Sequence, residues 1–253
     1  MIVAADNLTA ANPVVADALA RLDPYPIQDL ARRCQLAGAA YLDINPGYLS
    51  PRRADRIAFM VAAVQEVSSL PLILDSLQPR VLALGLAACR DKPILNACTL
   101  EEEKLREILP LAADHGTDLV LLLLDEKSRV APTLEGKIAL AVELQERALA
   151  AGVPHEQLIF DPVFPHLSWP DAFDQIKAVV KTVRLLAGGA VFLQPARTMA
   201  GLSNLRSGRR KVYPPQLDQT CLAALAGAGL HLALADVLQP GLVETMKTIG
   251  QVI

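Results

Sequence analysis

The sequence predicts an α/β fold, a single closed (β/α)8 barrel running over residues 1–253 as one domain. Three observations predict it. Eight short β-type runs alternate with segments of helical period from end to end. The runs are apolar on both faces, as strands are when a parallel sheet is covered on both sides. Every run is followed by Asp or Asn, and in a barrel all strand ends meet on one face. A doubly wound open sheet is the alternative architecture. The chain has 253 residues, of which 52% are hydrophobic and 20% charged, with a net charge of -3. That apolar fraction excludes intrinsic disorder, and the charge balance argues against a basic nucleic-acid surface.

In order, the β-type runs are Met1–Ala5, Tyr41–Ile44, Leu72–Leu74, Ile94–Leu95, Asp118–Leu124, Leu158–Phe160, Thr198–Leu202 and Leu230–Ala235. Between them the helical segments carry their own punctuation. Ile57, Met60, Val61 and Val64 stand at i, i+3, i+4 and i+7, with Arg52, Arg53, Asp55, Arg56 and Glu66 mostly on the other side. Thr99 stands three before Glu102, the spacing of a capping box. Pro110 falls inside the next helix and is expected to kink it. Ser168, before Pro170 and Asp171, reads as another helix start. Gly38, Gly116 and Gly152 come just after helical segments and mark their ends. The run Ala190–Leu193 reads as an extended approach to the seventh strand rather than a ninth strand.

Other classes fall away. The longest apolar stretch, Cys221 to Ala235, is broken by Gly227, Gly229 and His231, short of the roughly 20 residues a spanning helix needs. The first residues show no basic stretch and no small-residue cleavage site, so no signal peptide is expected. The four cysteines form no C-x-x-C pair and read as buried free thiols, which suits the reducing cytoplasm. His115, His155, His166 and His231 lie in different segments without ligand spacing, which argues against zinc. There is no G-x-G-x-x-G and no phosphate-binding G-x-x-x-x-G-K-[ST]. Gly201-Leu202-Ser203-Asn204-Leu205 misses the last glycine of a nucleophile elbow.

The residues at the strand ends carry the chemistry: Asp6 and Asn7, Asp43 and Asn45, Asp75-Ser76, Asn96, Asp125, Asp161, Ser203-Asn204, and Asp236. Any one of them can be a helix cap or a turn residue. Eight in eight point to a cup lined by carboxylates and carboxamides. Buried carboxylates need cations or hydrogen-bond donors. Magnesium or calcium would meet that need, and so would a flat heterocycle with N–H groups along one edge. A pterin offers an amino group beside a ring N–H, which one Asp can accept together.

At these residues the sequence resembles the pterin-binding methyltransferases that act between 5-methyltetrahydrofolate and a corrinoid protein. The likeness is nearest to those serving the corrinoid/iron–sulfur protein of acetyl-CoA synthesis. It runs over nearly the whole chain. Its landmarks are Tyr41-Leu42-Asp43-Ile44-Asn45-Pro46-Gly47, Val64-Gln65-Glu66-Val67-Ser68, Leu74-Asp75-Ser76, Ile94-Leu95-Asn96, Phe160-Asp161-Pro162, Gly201-Leu202-Ser203-Asn204 and Ala235-Asp236. The resemblance implies that Asp75, Asn96 and Asp161 hold the pterin, that Gly201 and Ser203 complete its wall, and that Asn204 stands at the methylated nitrogen as the catalytic residue. Asn7, Asp43, Ser207 and Arg210 join the substrate-binding set. It further implies tetrahydrofolate or its methyl derivative as substrate, a corrinoid (cobalamin) carried by a separate partner protein, and a homodimer. No Asp-x-His-x-x-Gly motif of a corrinoid-binding module is present in the chain.

The sequence departs from that family in two places. Ser207 stands where a glutamine is usual, in a basic loop with Arg206, Arg209, Arg210 and Lys211 that reads equally as a binding element or a solvated charge run. Ala4-Ala5-Asp6-Asn7 replaces a Gly-Glu-Arg-Ile-Asn start. Dihydropteroate synthase shares the barrel and the pterin pocket and ranks second. Its Ser-Arg-Lys run near the seventh strand is replaced here by Leu202-Ser203-Asn204, and its Ser-Thr-Arg-Pro-Gly loop by Pro46-Gly47-Tyr48-Leu49-Ser50-Pro51. A non-catalytic pterin-binding subunit on the same scaffold is a third expectation.

Overall fold

The computed structural model describes residues 1–206, 213–214 and 216–252. Its strands are β1 (Ile2–Ala5), β2 (Tyr41–Ile44), β3 (Leu72–Asp75), β4 (Ile94–Cys98), β5 (Asp118–Leu122), β6 (Leu158–Asp161), β7 (Arg197–Gly201) and β8 (Leu232–Ala235). They pair in parallel, each with the next, and β1 with β8 closes the barrel. The helices are α1 (Pro13–Arg21), α2 (Tyr25–Leu36), α3 (Arg56–Gln65), α4 (Pro79–Ala88), α5 (Glu102–His115), α6 (Leu134–Ala150), α7 (Ala172–Ala187), α8 (Gln216–Gly227) and α9 (Leu242–Val252). Two of them, α1 and α2, lie between β1 and β2. The others come after their strands one by one, so the fold is a single (β/α)8 TIM barrel.

Local chemistry accounts for the helix limits. The Asn12 side chain accepts from the Val14 amide ahead of α1, with Pro13 in the first position, where its missing N–H costs nothing. Thr133 accepts from the Gly136 amide and starts α6. Gly116 ends α5 at φ +59, a left-handed conformation that glycine adopts without steric penalty.

Burial divides into two cores. The larger lies between the outer faces of the strands and the helices and takes in Ile57, Met60, Val61 and Val64, the face the helical spacing marked. The smaller fills the barrel with Ala4, Ile73, Ile94, Val120, Ile159, Met199, Leu232 and Leu234. Side chains two residues apart on a strand share a face. Two beyond these interior residues come Asp6, Asp75, Asn96, Leu122, Asp161, Gly201 and Asp236. The apolar layer therefore sits directly beneath a polar one. Burying one of its large aliphatic side chains stabilises the fold by about 1.5–3 kcal/mol.

Three local expectations differ from the structure. Ala190–Leu193 is a turn rather than an extended approach, with Leu193 at φ +59 and 97% exposed. Its Phe192 ring packs on Phe160 and His155, so the apolar run serves loop packing. Thr99 does not form a capping box: its hydroxyl accepts from the Glu101 amide at 3.4 Å, and Glu101 is the cap residue. Ser168 does not start a helix either, because α7 begins at Ala172 with Asp171 as its cap residue.

Candidate active site

The C-terminal ends of the strands open into a cavity of about 520 Å³. That volume lies within the range of small-ligand sites. Asp6 and Asn7 enter from the end of β1, Asp43 and Asn45 from β2, and Asp75 from β3. Asn96 comes from β4 and Asp161 from β6. Gly201, Ser203 and Asn204 come from the end of β7 and Asp236 from beyond β8. Leu122, Met199 and Leu234 supply the apolar floor, with Ala11 and Leu77 also in the lining. Register brings these groups to one level: Asp75 pairs with Asn96, Leu122 with Asp161, and Gly201 with Leu234.

Asp125 is the exception among the strand-end residues. Its carboxylate accepts from the Lys127 and Arg129 amides and from the Arg129 side chain at 2.8 Å. These bonds hold it near 2, well below the usual carboxylate range, on the surface. The inward residue of β5 is Leu122, because the side-chain period passes through Val120 and Leu122. Ser207, Arg209, Arg210 and Lys211 lie outside the described residues. Arg206 is described, and its guanidinium meets the buried Asp218 carboxylate at 2.6 Å and the carbonyls of Tyr213 and Pro214. That side chain holds the fold rather than a ligand.

Within the cavity the polar groups are partly paired. The Asn45 amide donates to Asp75 at 2.8 Å and receives the Gly47 amide at 2.9 Å. Asn7 donates to Asp236 at 2.5 Å and accepts from the Val237 amide. The Val163 amide donates to Asp161 at 2.7 Å. Asp43 Oδ1 and Asp6 Oδ2 are buried and have no hydrogen-bond partner among the described residues. A Cβ added to Gly201 would lie 3.6 Å from Asn204 Nδ2, so the missing side chain leaves room beside that amide.

Burial governs the charges. Asp43 is 1% exposed, Asp161 4% and Asn96 5%. Loss of solvation pushes Asp161 and Asp75 up to about 7. Asp161 is also raised by the charge of Asp75, against the opposing pull of the Val163 amide and Lys137. Asp43 is raised well above the usual carboxylate range by burial and then by Asp75 and Asp6. Asp6 reaches about 6, raised by burial and held back by a hydrogen bond from Ser203. Such a cluster favours a ligand that brings N–H donors or positive charge. Among the described residues, no group of three or more His, Cys, Asp or Glu side chains is placed to share a metal ion. No helix among them is long and apolar enough to cross a membrane.

Sequence reasoning placed Asp75, Asn96, Asp161, Gly201, Ser203, Asn204, Asn7 and Asp43 as site residues, and the fold brings all eight to the one cavity. It underrated Asp6, Asn45 and Asp236, which the same strand-end signal marks. It missed Leu122, Met199 and Leu234, whose position is carried only by the two-residue period, and the loop residues Thr9, Ala11, Asn12 and Leu77, which carry no such signal.

Comparisons with known proteins place the chain among pterin binding enzymes. The methylcorrinoid:tetrahydrofolate methyltransferase of Eubacterium limosum is 28% identical over 241 residues, covering 93% of this chain and 85% of that protein. The methionine synthase of Mycobacterium leprae is 28% identical over 227 residues, 87% of this chain and 19% of that much longer protein. Among solved structures, the Yersinia pestis dihydropteroate synthase with a sulfonamide drug superimposes with a TM-score of 0.70 at 18% identity, over 99% of this chain and 92% of that one. That likeness shows the shared barrel. Residues 11–235, nearly the whole barrel, match the family of pterin binding enzymes, and the chain belongs to that family.

Proposed function

We propose that this chain transfers a methyl group between the N5 nitrogen of tetrahydrofolate and the cobalt of a corrinoid carried by a separate protein. The observation that carries the reading is the convergence of Asp75, Asn96, Asp161 and Asn204 on one cavity of about 520 Å³. Asp75 and Asp161 accept the amino and ring N–H groups of the pterin, and Asn96 serves as donor and acceptor together. Leu122, Met199 and Leu234 give the flat ring an apolar surface. Asn7, Asp43, Gly201 and Ser203 complete the wall, and Ser207 and Arg210 belong to the proposed set on the methyl side and the tail. The name of the E. limosum relative favours a methylated corrinoid as donor and tetrahydrofolate as acceptor. The finer reading takes a corrinoid/iron–sulfur protein as partner, acetyl-CoA or methyl-demethylation metabolism as setting, and a homodimer as the working form.

The step consumes or releases one proton. When the methyl leaves the folate, the N5–methyl bond breaks, its electron pair stays on N5, and N5 gains a proton while the methyl joins cobalt(I). Asn204 hydrogen-bonds the nitrogen but cannot supply the proton, since a carboxamide is not an acid at neutral pH. Asp6 can. Burial lifts its carboxyl to about 6, and it lines the same cavity as Asn204. A group that titrates near working pH serves as acid in one direction and base in the other. The order of residues after β7, Leu202-Ser203-Asn204, places no lysine there, which favours this reading over a dihydropteroate synthase.

The test is methyl transfer from 5-methyltetrahydrofolate to free cob(I)alamin, followed by absorbance, beside calorimetry with tetrahydrofolate and with a dihydropterin pyrophosphate analogue. Turnover with binding of tetrahydrofolate is expected. Binding without turnover would make the chain a pterin-holding subunit, and no binding of any pterin would overturn the reading.

A further inference from the structure

One fully buried lysine lies close to the site without lining it. Lys137 sits in the first turns of α6, between the helix and the end of β6, with 0% exposure. Lysine is almost never buried this way unless its ammonium is paired. The partner its ammonium finds is a carbonyl, Pro162 O, at 2.6 Å. The same peptide unit that offers this oxygen offers the Val163 N–H at its other end. That N–H donates to Asp161 Oδ1 at 2.7 Å. The order is therefore ammonium, carbonyl, amide, carboxylate, across a single peptide plane. Val163 holds φ +58, a conformation that a β-branched residue rarely adopts without outside support.

We propose that Lys137 is the positioning residue for Asp161: it fixes the Pro162–Val163 turn and, through that peptide, lends its charge to the carboxylate that grips the pterin. Two physical effects act together. An ammonium on the carbonyl polarises the peptide and strengthens the N–H at its far end, as linked hydrogen bonds do in a low-dielectric interior. The hydrogen bond to Pro162 also anchors a turn that would otherwise relax away from the Val163 conformation and re-aim the amide. The other charged groups around Asp161 oppose the lysine. Asp75 raises the carboxyl from across the cavity, and Asp6, Asp43 and Asp236 line the same space. Lys137 is the cation that acts on Asp161 among the groups shifting it, and burial in turn pushes the lysine itself down to about 8. The inference rests on the pterin reading, since it assigns Asp161 to the ligand.

The experiment is calorimetric titration of the whole protein with tetrahydrofolate from pH 5.5 to 8.5, for the parent, Lys137→Met, Lys137→Gln and Lys137→Arg. Binding by the parent should weaken as pH falls through the range in which Asp161 takes up its proton. Lys137→Met should bind about fivefold more weakly at pH 7, with the midpoint of the pH profile moved up by about one pH unit. Lys137→Arg, which keeps the charge, should return the midpoint towards the parent's. Lys137→Gln still offers a donor to Pro162 without the charge, so it stands in should the Met variant not fold, and its midpoint should also move up. A folded Met or Gln variant with the parent's affinity and midpoint would overturn the inference and leave Lys137 a packing residue. A parent that ignores tetrahydrofolate would instead overturn the pterin reading itself, an outcome visible before any variant is made.

Discussion

Replacing Asp161 by Asn should make the unliganded protein more stable at alkaline pH while weakening its grip on the pterin. The Asp161 carboxyl moves from an ordinary 3.8 to about 7 on folding, chiefly because it leaves water. A factor of ten in a protonation equilibrium corresponds to about 1.4 kcal/mol. Holding the charge in the folded state therefore costs about 4 kcal/mol above pH 7. The sign comes from proton linkage. Between 3.8 and about 7 the folded state binds the proton that the unfolded chain has released, so stability is full below 3.8 and is lost as pH rises through about 7. About 1.6 kcal/mol of it is already gone at pH 5, which leaves about 2–3 kcal/mol to be lost between pH 5 and pH 8. Asn keeps the shape and an oxygen for the Val163 amide but carries no charge. Its advantage over the parent should thus grow by about 2–3 kcal/mol between those pH values, a relative rise in Tm of about 5–10 °C for a domain of this size. Scanning calorimetry of both proteins at pH 5 and pH 8, without ligand, measures it. An advantage that is the same at both pH values would refute the reasoning, because the cost would then not come from the buried charge.

The remaining expectations concern the chemistry and one structural ion pair. Asn204→Ala should keep tetrahydrofolate affinity within a few-fold and lose turnover. Full turnover would remove Asn204 from the mechanism. In Asp6→Asn the rate should fall by about 100-fold, the scale of general acid–base assistance, and the limb of the pH–rate profile near pH 6 should vanish. In the parent that limb descends with rising pH when methyl leaves the folate and ascends in the opposite direction. A limb that survives the substitution would assign the proton to another group. Arg206→Ala strips the buried Asp218 of its guanidinium and leaves it Gln239 at 3.2 Å. A loss of about 2–3 kcal/mol in unfolding free energy is expected, with tetrahydrofolate affinity unchanged. The opposite pattern, stable protein and weakened binding, would return Arg206 to the ligand.

The barrel was legible because parallel strands covered on both faces leave compact apolar runs between polar punctuation, and all eight runs became strands. Their ends were misplaced for an informative reason. Asp75, Asn96 and Asp161 read as residues after the strand, yet they lie within β3, β4 and β6. Hydropathy stops where a side chain turns polar, whereas the ladder continues beneath an inward-facing carboxylate. In β5 the same signal misled. The apolar run Leu119–Leu124 outlasts the strand, and the polar residue after it, Asp125, closes a turn with Arg129. Lys137 was invisible for a different cause, because a lone lysine in an amphipathic helix looks like any solvated one. Only the end of β6 packed against it shows that this one is enclosed.

These features share one origin. A carboxylate can select an N–H-rich ring edge only if water does not compete for it, so the selecting groups must be buried. Burial raises them towards neutral pH, and neighbouring carboxylates in the cup raise them further. The fold counters this unevenly. Asn45 serves Asp75, Ser203 serves Asp6, and the Lys137–Pro162–Val163 relay serves Asp161, while Asp43 Oδ1 has no partner among the described residues. A pterin that donates into the cup relieves the instability in proportion to its fit, so affinity and specificity both draw on the strain of the unliganded site. The same arrangement makes the ionisation state of the cup, and hence binding, sensitive to pH in the range from about 6 to about 7 where Asp6, Asp75 and Asp161 titrate. Acidification through that range should release the folate, because a protonated carboxyl can no longer accept two N–H groups at once.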